Sequence, residues 1–424
     1  MHSEKLKVLI LCSDFPPVNS IGAERPYSWY KYFKDLNIEP VVITKNWISN
    51  GRIDFASVGA QRKEESDDYG TVIRSASHKT PSLWFRSIFG SRFAVIRKSF
   101  TFLEQLLSFH LSFFDQHYGI YKEAKNYLKD NKVDAVITTV APFILFKYGY
   151  RLKYKHNIKW IADYRDGWYL NHGNSLRHNV FRILERSKEL KYTQRCDLVT
   201  TVDPELSTRL GNHINTKVQV VYNGFWKFYS SNSKAEANHS KLILNHTGTL
   251  TNGQRIEILL DTLVHLKNEG EIEQKDISLN LIGLEHFPNQ INRIEKYQKE
   301  LKGILKTTPR LKAEEATELN LKADFLINFT DSNLSAIYAK TYNYIACKKP
   351  IVVIPGDQGL LDELVNENKL GIVLNSQKEI ENFILERNSN FEPKIENLTF
   401  FTRKNQTTIF ARMIHELFIS EQNA

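Results

Sequence analysis

Short apolar runs alternate with longer amphipathic segments along most of the chain. The apolar runs predict strands at residues 6–12, 40–44, 71–74, 133–140, 159–162, 198–202, 218–221, 241–246, 279–283, 304–307, 325–328, 351–354 and 371–374. Helical patterns lie between them, among others at 25–36, 256–266 and 400–417. Strands that alternate with helices form parallel sheets, so we expect a doubly wound α/β fold.

The chain has 424 residues, which is too long for one ordinary hydrophobic core, so two domains are expected. A polar segment at 230–240 separates the two series of strands and is interpreted as a loop or linker. We therefore predict a first domain over 1–225, a second over 226–400, and a final helical segment over 401–424. Ligands of such folds bind beyond the C-terminal ends of the strands, and the crevice between two domains is the expected reaction site.

Apolar residues make up 42% of the chain and charged residues 25%, as in soluble globular proteins. The cysteines Cys12, Cys196 and Cys347 show no CxxC or Cys/His spacing. This argues against a disulfide scaffold or a zinc site and favours a reducing compartment such as the cytoplasm. The first apolar run is too short for a signal peptide, and no run of about 18 apolar residues predicts a membrane span.

Charge is distributed unevenly between the two halves. Residues 1–225 carry 33 Lys and Arg against 22 Asp and Glu, whereas the remainder carries 24 against 26. An anionic partner of the first half is therefore indicated: nucleic acid, an anionic membrane surface or a phosphorylated substrate. Nucleic acid is not expected as a partner, because the chain contains no nucleic-acid-binding motif.

A basic aromatic segment at 81–128 interrupts the αβ pattern. Its first part mixes large apolar side chains with Arg86, Arg92, Arg97 and Lys98. A basic amphipathic helix can lie in the membrane interface, so peripheral membrane contact through 81–118 is one interpretation. The alternative is an ordinary insertion that covers the sheet or the cleft.

Two loops in the first half carry candidate functional residues. Gly22 lies near a helix start, where free N–H groups can hold an anion, although the loop lacks a GxGxxG motif and a plain βα loop is the alternative. Asp163 and Asp166 flank Arg165 directly after a strand. A charge cluster at that place must be paired, so it is either a structural Asp–Arg ion pair or an acid/base or hydroxyl-binding group.

The third loop, His-Thr-Gly-Thr-Leu-Thr-Asn-Gly-Gln-Arg at 246–255, follows a strand and precedes a helix. Gly248, the threonine hydroxyls and the helix N-terminus predict a phosphate cradle, with Arg255 as its cation. The loop lacks the GK[ST] ending of a P-loop, so ATP hydrolysis is not expected.

The fourth stretch, 335–355, predicts a short helix followed by a buried strand. Lys340 and Asn343 are three residues apart and share one face of that helix. Lys348 and Lys349 are predicted in its last turn, where cations suit the helix dipole. A polar face against a buried strand can hold a ligand; the alternative is one more αβ unit.

Together these stretches resemble the family-4-like glycosyltransferases with the GT-B fold, over nearly the whole chain. Similar motifs occur in the same order: Gly-Ala-Glu-Arg at 22–25, Asp-Tyr-Arg-Asp-Gly-Trp at 163–168, Asn-Gly at 223–224, Thr-Gly-Thr-Leu at 247–250 and Lys-Thr-Tyr-Asn-Tyr-Ile-Ala at 340–346. The resemblance implies two Rossmann-like domains facing across a cleft, with the C-terminal helix crossing back to the first domain.

The resemblance also implies transfer of a sugar from a nucleotide sugar to a hydroxyl of a glycan or lipid-linked acceptor, in surface polysaccharide or glycolipid biosynthesis. Such transfer usually proceeds with retention and without a bound metal or other cofactor. The catalytic carboxylates implied are Asp166 and Asp163, and Gly22 would close on the donor. In the second domain the implied donor-binding residues are Thr247, Gly248, Thr249, Arg255, Ser335, Lys340 and Asn343.

Four positions depart from the family pattern. The usual pair of glutamates falls at Ser335 and Asn343, the usual arginine at Thr249, and the usual lysine at Gln254 or Arg255. An asparagine bonds a ribose hydroxyl more weakly than a carboxylate does. Two alternatives therefore stay open: a catalytically silent nucleotide-sugar-binding or scaffold subunit, and a GT-B sugar-nucleotide epimerase.

Overall fold

The computed structural model describes residues 5–18, 20–48, 58–90, 92–171, 176–229, 241–284, 288–331, 335–386, 391, 393–394 and 398–422. The chain forms two compact units, the first comprising Met1–Tyr222 with Arg403–Ala424 and the second Asn223–Thr402. The predicted linker at 230–240 lies outside the described residues.

An eight-stranded sheet forms the centre of the first unit. Its strands are β1 (Leu6–Leu11), β2 (Ile38–Lys45), β3 (Lys63–Ser66), β4 (Thr71–Ser75), β5 (Ala135–Val140), β6 (Lys159–Tyr164), β7 (Leu198–Thr201) and β8 (Val218–Val220). They lie in the order β3-β4-β2-β1-β5-β6-β7-β8, and every neighbouring pair except β3 and β4 is parallel. The direction of winding thus reverses between β1 and β5.

The second unit contains a six-stranded parallel sheet. Its strands are β9 (Leu242–Thr247), β10 (Ile277–Ile282), β11 (Leu305–Thr308), β12 (Phe325–Phe329), β13 (Ile351–Ile354) and β14 (Gly371–Val373). Their order, β11-β10-β9-β12-β13-β14, is that of a doubly wound sheet, with its reversal between β9 and β12.

Helices connect the strands in both units. In chain order they are α1 (Ile21–Tyr32), α2 (Pro81–Phe89), α3 (Ala94–Leu107), α4 (Tyr118–Asp130), α5 (Ile144–His156), α6 (Leu176–Thr193), α7 (Pro204–Ile214), α8 (Glu257–Asn268), α9 (Pro288–Glu300), α10 (Ala313–Leu321), α11 (Ala339–Ala346), α12 (Leu360–Glu367), α13 (Gln377–Glu386) and α14 (Arg403–Gln422). The prediction of an α/β protein with two doubly wound sheets is confirmed, and each predicted strand overlaps an observed one.

The last helix, α14, packs on the first unit. The ring of Phe410 lies 4.9 Å from that of Trp29 and 6.0 Å from that of Phe33, measured between centroids. Gln406 of α14 accepts a hydrogen bond from the N–H of Tyr222 at 2.9 Å. The chain therefore completes the second sheet before its final helix joins the first unit.

Two helix predictions were wrong at their ends. The helix predicted at 25–36 begins at Ile21, because the side chain of Ser20 accepts a hydrogen bond from a first-turn N–H and caps an earlier start. Helix α11 ends at Ala346, so Lys348 and Lys349 do not lie in its last turn. Lys348 has a φ of 55°, in the left-handed region, so the helix cannot continue through it.

Candidate functional site

The four loops singled out from the sequence begin at or beside the two reversal points. Residues 12–20 follow β1, and residues 165–168 follow β6, the neighbour of β5. Residues 248–256 follow β9, and the segment that leads to α11 follows β12. Because connections leave a reversal point in opposite directions, the loops there separate and leave room for a ligand. Each unit thus has its own candidate site.

Asp163, at the end of β6, is completely buried in the first unit. Arg25 of α1 donates to both of its carboxylate oxygens over 2.7–3.2 Å, and the hydroxyls of Thr139 and Thr200 donate at 2.7 Å each. The guanidinium also bonds the carbonyl oxygen of Val221 at 2.6 Å. This arrangement favours the structural ion pair over a catalytic role for Asp163, and its partner is Arg25 rather than the adjacent arginine.

Arg165 instead packs on the start of α1. Its guanidinium donates to the carbonyl oxygens of Val140, the last residue of β5, and of Ala141, the next residue, at 2.7 and 3.0 Å. A Cβ added to Gly22 would lie 2.0 Å from Nη1 of Arg165 and 2.9 Å from Oδ2 of Asp14. A larger residue at position 22 would therefore have to displace the side chains of Arg165 and Asp14. The N–H of Gly22 donates to Ser20 Oγ at 3.1 Å, so this N–H of the helix start is already paired, and donor binding at Gly22 stays a prediction.

Asp166 is the exposed carboxylate of the same loop, and it makes no hydrogen bond with the described part of the chain. The loop is fixed on both sides of it by Glu189 of α6, which accepts from the Tyr164 hydroxyl at 3.0 Å and from the N–H of Tyr169 at 3.1 Å. Burial raises the pKa of Glu189. Asp166 is therefore held on a fixed backbone with its carboxylate open to solvent.

In the second unit, two glycine turns meet at the ends of neighbouring strands. Gly248 follows β9 with a φ of +101°, and Gly283 follows β10 with a φ of +86°, both in the region that favours glycine. A Cβ added to Gly283 would lie 3.9 Å from the Cα and N atoms of Gly248. The N–H of Thr249 donates to no residue in the described ranges, so a backbone donor remains for an anion.

Lys340 of α11 reaches this turn from the other side of the reversal point. Its Nζ lies 3.1 Å from the carbonyl oxygen of Thr249 and 3.1 Å from Nε2 of His246. The same atom lies 3.8 Å from the place of a Cβ on Gly248. Burial lowers the pKa of Lys340 to about 7. Within the described ranges no carboxylate contacts this amine. An anionic ligand would therefore supply the negative counter-charge that the amine lacks.

His246 is a site residue that the sequence analysis did not single out. It is completely buried, and Nδ1 lies 2.9 Å from the carbonyl oxygen of Ile327. Burial and the nearby amine of Lys340 hold its pKa well below 6.5, so the imidazole is neutral. The signal was weak, because Lys340 is 94 residues away and no spacing rule links the two.

The other predicted donor-binding side chains do not all join this group. Thr247 donates to Asn320 at 2.7 Å, and Ser335 Oγ accepts from the N–H at the start of α12 at 2.8 Å. Arg255 and Asn343 are exposed, and their side chains make no hydrogen bond within the described ranges. The structure therefore brings together three predicted residues, Gly248, Thr249 and Lys340.

Gln254, the other position considered for the usual lysine, is buried rather than available to a ligand. Its side chain donates to the carbonyl oxygen of Phe329 at 2.7 Å and accepts from the N–H of Thr251 at 2.9 Å. It thereby fixes the loop after β9 to the end of β12.

No group of three or more His, Cys, Asp or Glu side chains among the described residues is placed to hold a metal ion. None of the described helices has the length and hydropathy needed to cross a membrane. The prediction of metal-independent chemistry stays a prediction.

No protein-family model matches the chain, and no curated protein matches it in sequence. Solved structures do match. Sucrose-phosphate synthase from Thermosynechococcus elongatus is 12% identical with a TM-score of 0.67, over 98% of this chain and 100% of that one. An α,α-trehalose-phosphate synthase (UDP-forming) from Burkholderia vietnamiensis is 11% identical with a TM-score of 0.63, over 100% of both chains.

HepE from Anabaena, solved in complex with UDP and glucose, is 14% identical with a TM-score of 0.54, over 99% of this chain and 98% of that one. Identities this low show a common fold and leave the activity open. The narrower likeness to family 4 stays a prediction. Because these structures match over nearly the whole chain, the protein has the GT-B fold of the glycosyltransferases to which it is similar.

Proposed function

We propose that the protein is a glycosyltransferase that moves a sugar from a nucleotide sugar to a hydroxyl of a glycan or lipid-linked acceptor. The observation that carries the proposal is Lys340, an amine without a carboxylate partner in the described ranges, beside the Gly248 turn. A nucleoside diphosphate supplies the anion that this site lacks. The similar HepE was solved with UDP and glucose, which supports this ligand class.

In the proposed reaction the bond between the anomeric carbon and the diphosphate oxygen breaks, and the acceptor hydroxyl oxygen bonds to that carbon. The nucleoside diphosphate leaves with the electron pair and gains negative charge. Lys340 and the N–H of Thr249 stabilise that charge, as fixed donors do in other active sites. Asp166 binds the acceptor hydroxyl and takes up the proton that the hydroxyl loses as its oxygen bonds to the anomeric carbon. We further propose that the transfer proceeds with retention of anomeric configuration and without a metal ion. It would belong to a cytoplasmic pathway of surface polysaccharide or glycolipid assembly.

Binding of nucleoside diphosphates tests the donor site. We expect one member of a panel of UDP, GDP, ADP and dTDP to raise the apparent melting temperature, because a ligand of the folded state stabilises it by mass action. Lys340→Met is expected to weaken that binding about tenfold or more, since a hydrogen bond to a charged group contributes about 1.5–3 kcal/mol. Lys378→Met, at an exposed lysine of α13, is the matched control. If the wild type binds no nucleoside diphosphate or nucleotide sugar, the proposal is wrong.

The two positions at which the family-4-like pattern has glutamates favour a second candidate function. It is that of a catalytically silent nucleotide-sugar-binding or scaffold subunit. Ser335 is engaged with the start of α12, and Asn343 carries no charge. Release of nucleoside diphosphate from the bound donor distinguishes the two functions. If Asp166→Asn lowers that release about 10²–10⁴-fold, a transferase is supported. Binding without release, together with unchanged glycan assembly in Asp166→Asn cells, supports the silent subunit. If the sugar of the nucleotide sugar is converted into its epimer when no acceptor is present, the protein is an epimerase.

We also propose that α2 and α3 contact an anionic membrane. The two helices pack through Phe85 and Phe100, with ring centroids 5.6 Å apart, and Glu104 of α3 accepts from the N–H and hydroxyl of Ser82 in α2 at 2.7 and 2.6 Å. This pairing leaves large apolar side chains exposed, among them Trp84 at 53% and Val95 at 77%.

The charge of this helix pair suits an anionic surface. Arg86, Arg92, Arg97 and Lys98 accompany the exposed apolar side chains, and the only acid between residues 81 and 114 is Glu104, which is buried. Apolar groups at the acyl boundary and cations at the headgroups are the two contributions that hold an interfacial helix. Such a contact would bring the protein to a lipid-linked acceptor.

Flotation with vesicles tests this contact. We expect the protein to bind vesicles that contain phosphatidylglycerol, to bind pure phosphatidylcholine weakly, and to lose binding in Trp84→Glu. Ile419→Glu, at an exposed position of α14, is the matched control and should bind like the wild type. Equal binding to both lipids, or binding that Trp84→Glu leaves unchanged, would refute the contact.

A further inference from the structure

The reversal point of the second sheet is opened by an early end of pairing between β9 and β12. These strands pair only at Leu244 with Phe325 and at Asn245 with Leu326. Beyond that point the carbonyl oxygen of Ile327 bonds side chains, with His246 Nδ1 at 2.9 Å and the Tyr344 hydroxyl at 3.3 Å. The imidazole of His246 therefore occupies the place where the ladder of the two strands stops.

This bond favours one of the two tautomers of the neutral His246 ring. The carbonyl of Ile327 can only accept, so Nδ1 is the N–H donor and, in the neutral ring, Nε2 holds a lone pair. That lone pair faces Nζ of Lys340 at 3.1 Å. A neutral imidazole in this tautomer attracts an ammonium, whereas an imidazolium would repel it.

Two of the three N–H donors of the Lys340 ammonium are thereby assigned. One points to His246 Nε2 and one to the carbonyl oxygen of Thr249, and both acceptors are uncharged. Neither cancels the charge of the amine, and the third donor remains for a ligand. A flexible lysine loses up to about 2 kcal/mol of rotamer entropy when it is ordered, so a side chain already held in place binds an anion more tightly.

We infer that His246 is a positioning residue for Lys340, whose Nζ it holds against the Gly248 turn to meet the diphosphate of the donor. The inference rests on the function proposed above. His246 acts through the lysine and has no contact of its own with the ligand. The position of Lys340 matters more in this site because the usual arginine of the family-4-like motif is lacking. Thr249 replaces that arginine, and Arg255 is exposed.

A double-mutant cycle tests the inference by calorimetry, with the nucleoside diphosphate that the panel identifies, UDP first, and its nucleoside as probes. We expect His246→Phe to weaken diphosphate binding about tenfold and to leave nucleoside binding within about twofold. His246→Gln, whose amide oxygen can accept from the amine, should recover most of the loss. With Lys340→Met already present, His246→Phe should cause no further loss, because the two residues act as one unit.

His265→Phe, at a half-exposed histidine of α8, is the matched control and should bind like the wild type. If His246→Phe loses the nucleoside together with the diphosphate, the role is merely structural and the inference fails. It also fails if diphosphate binding survives His246→Phe but not Lys340→Met, or if the two losses add. A wild type that binds neither a nucleoside diphosphate nor a nucleotide sugar refutes the proposed function itself, which none of the other outcomes does.

Discussion

Charged side chains lie near both reversal points, but their partners differ. In the first unit Arg25 and Asp163 are paired, buried and joined by hydroxyls and a carbonyl of the surrounding strands. In the second unit the partners of Lys340 among the described residues are a neutral imidazole and a carbonyl. When a buried charge has its counter-charge in the protein, the fold depends on both partners, whereas a charge with neutral partners is available to an anionic ligand.

Removal of the buried ion pair should have the largest effect. Asp163→Ala leaves Arg25 buried without its counter-charge, and we expect the free energy of unfolding of the first unit to fall by about 3–5 kcal/mol. Urea unfolding followed by circular dichroism measures the change. Asp166→Ala, three residues later and exposed, should alter stability by less than about 0.5 kcal/mol. An Asp163→Ala protein of normal stability that has lost sugar transfer would reverse the comparison and assign Asp163 to catalysis.

The sequence predicted the strands well, because buried parallel strands are continuous apolar runs. Strand β3 was missed for the converse reason. All four of its residues are exposed, and it pairs antiparallel with β4 at the edge of the sheet, so its Lys-Glu-Glu-Ser sequence has no apolar pattern. Element type was thus predictable where burial dictated composition, and unpredictable where backbone pairing alone made the strand.

The candidate sites were predictable as loops but not as contacts. The sequence placed charges at strand ends, yet Asp163 pairs with an arginine 138 residues away rather than with Arg165 two residues away. Likewise the partner of Lys340 is His246, on a strand that the sequence identified only by its apolar residues. Which of many polar side chains reach one another depends on how the strands are ordered, and local patterns do not contain that information.

Enlarging Gly22 tests whether the first site also depends on the close approach of Arg165. In Gly22→Ala the new methyl group would displace the guanidinium from its two carbonyl partners, because both occupy the same space. We expect a loss of about 1–3 kcal/mol in the free energy of unfolding, measured in urea. Gly211→Ala in α7, whose Cβ would meet its nearest atom at 3.3 Å, is the milder control. Equal stability of Gly22→Ala and the wild type would show that Arg165 moves freely and that this site is not rigid.

The smallest effect concerns pH and belongs to the second site alone. Burial lowers the pKa of Lys340 to about 7, so the unliganded amine loses its proton as the pH rises above that value. A diphosphate binds the charged amine, and its own phosphate is fully ionised well above a pKa of about 6. Affinity for the nucleoside diphosphate should therefore fall as the pH rises from 7 to 8.5, by at most about tenfold per pH unit.

Calorimetry at constant ionic strength measures this slope, and Lys340→Met is expected to remove it. The proton taken up on binding can be detected independently, because the observed enthalpy then depends on the ionisation enthalpy of the buffer. A wild-type affinity that stays constant between pH 7 and 8.5, with no proton uptake, would mean that Lys340 keeps its charge without a ligand. The amine would then be charged whether or not a ligand is bound. The charged groups at the two reversal points would then differ only in how deeply they are buried.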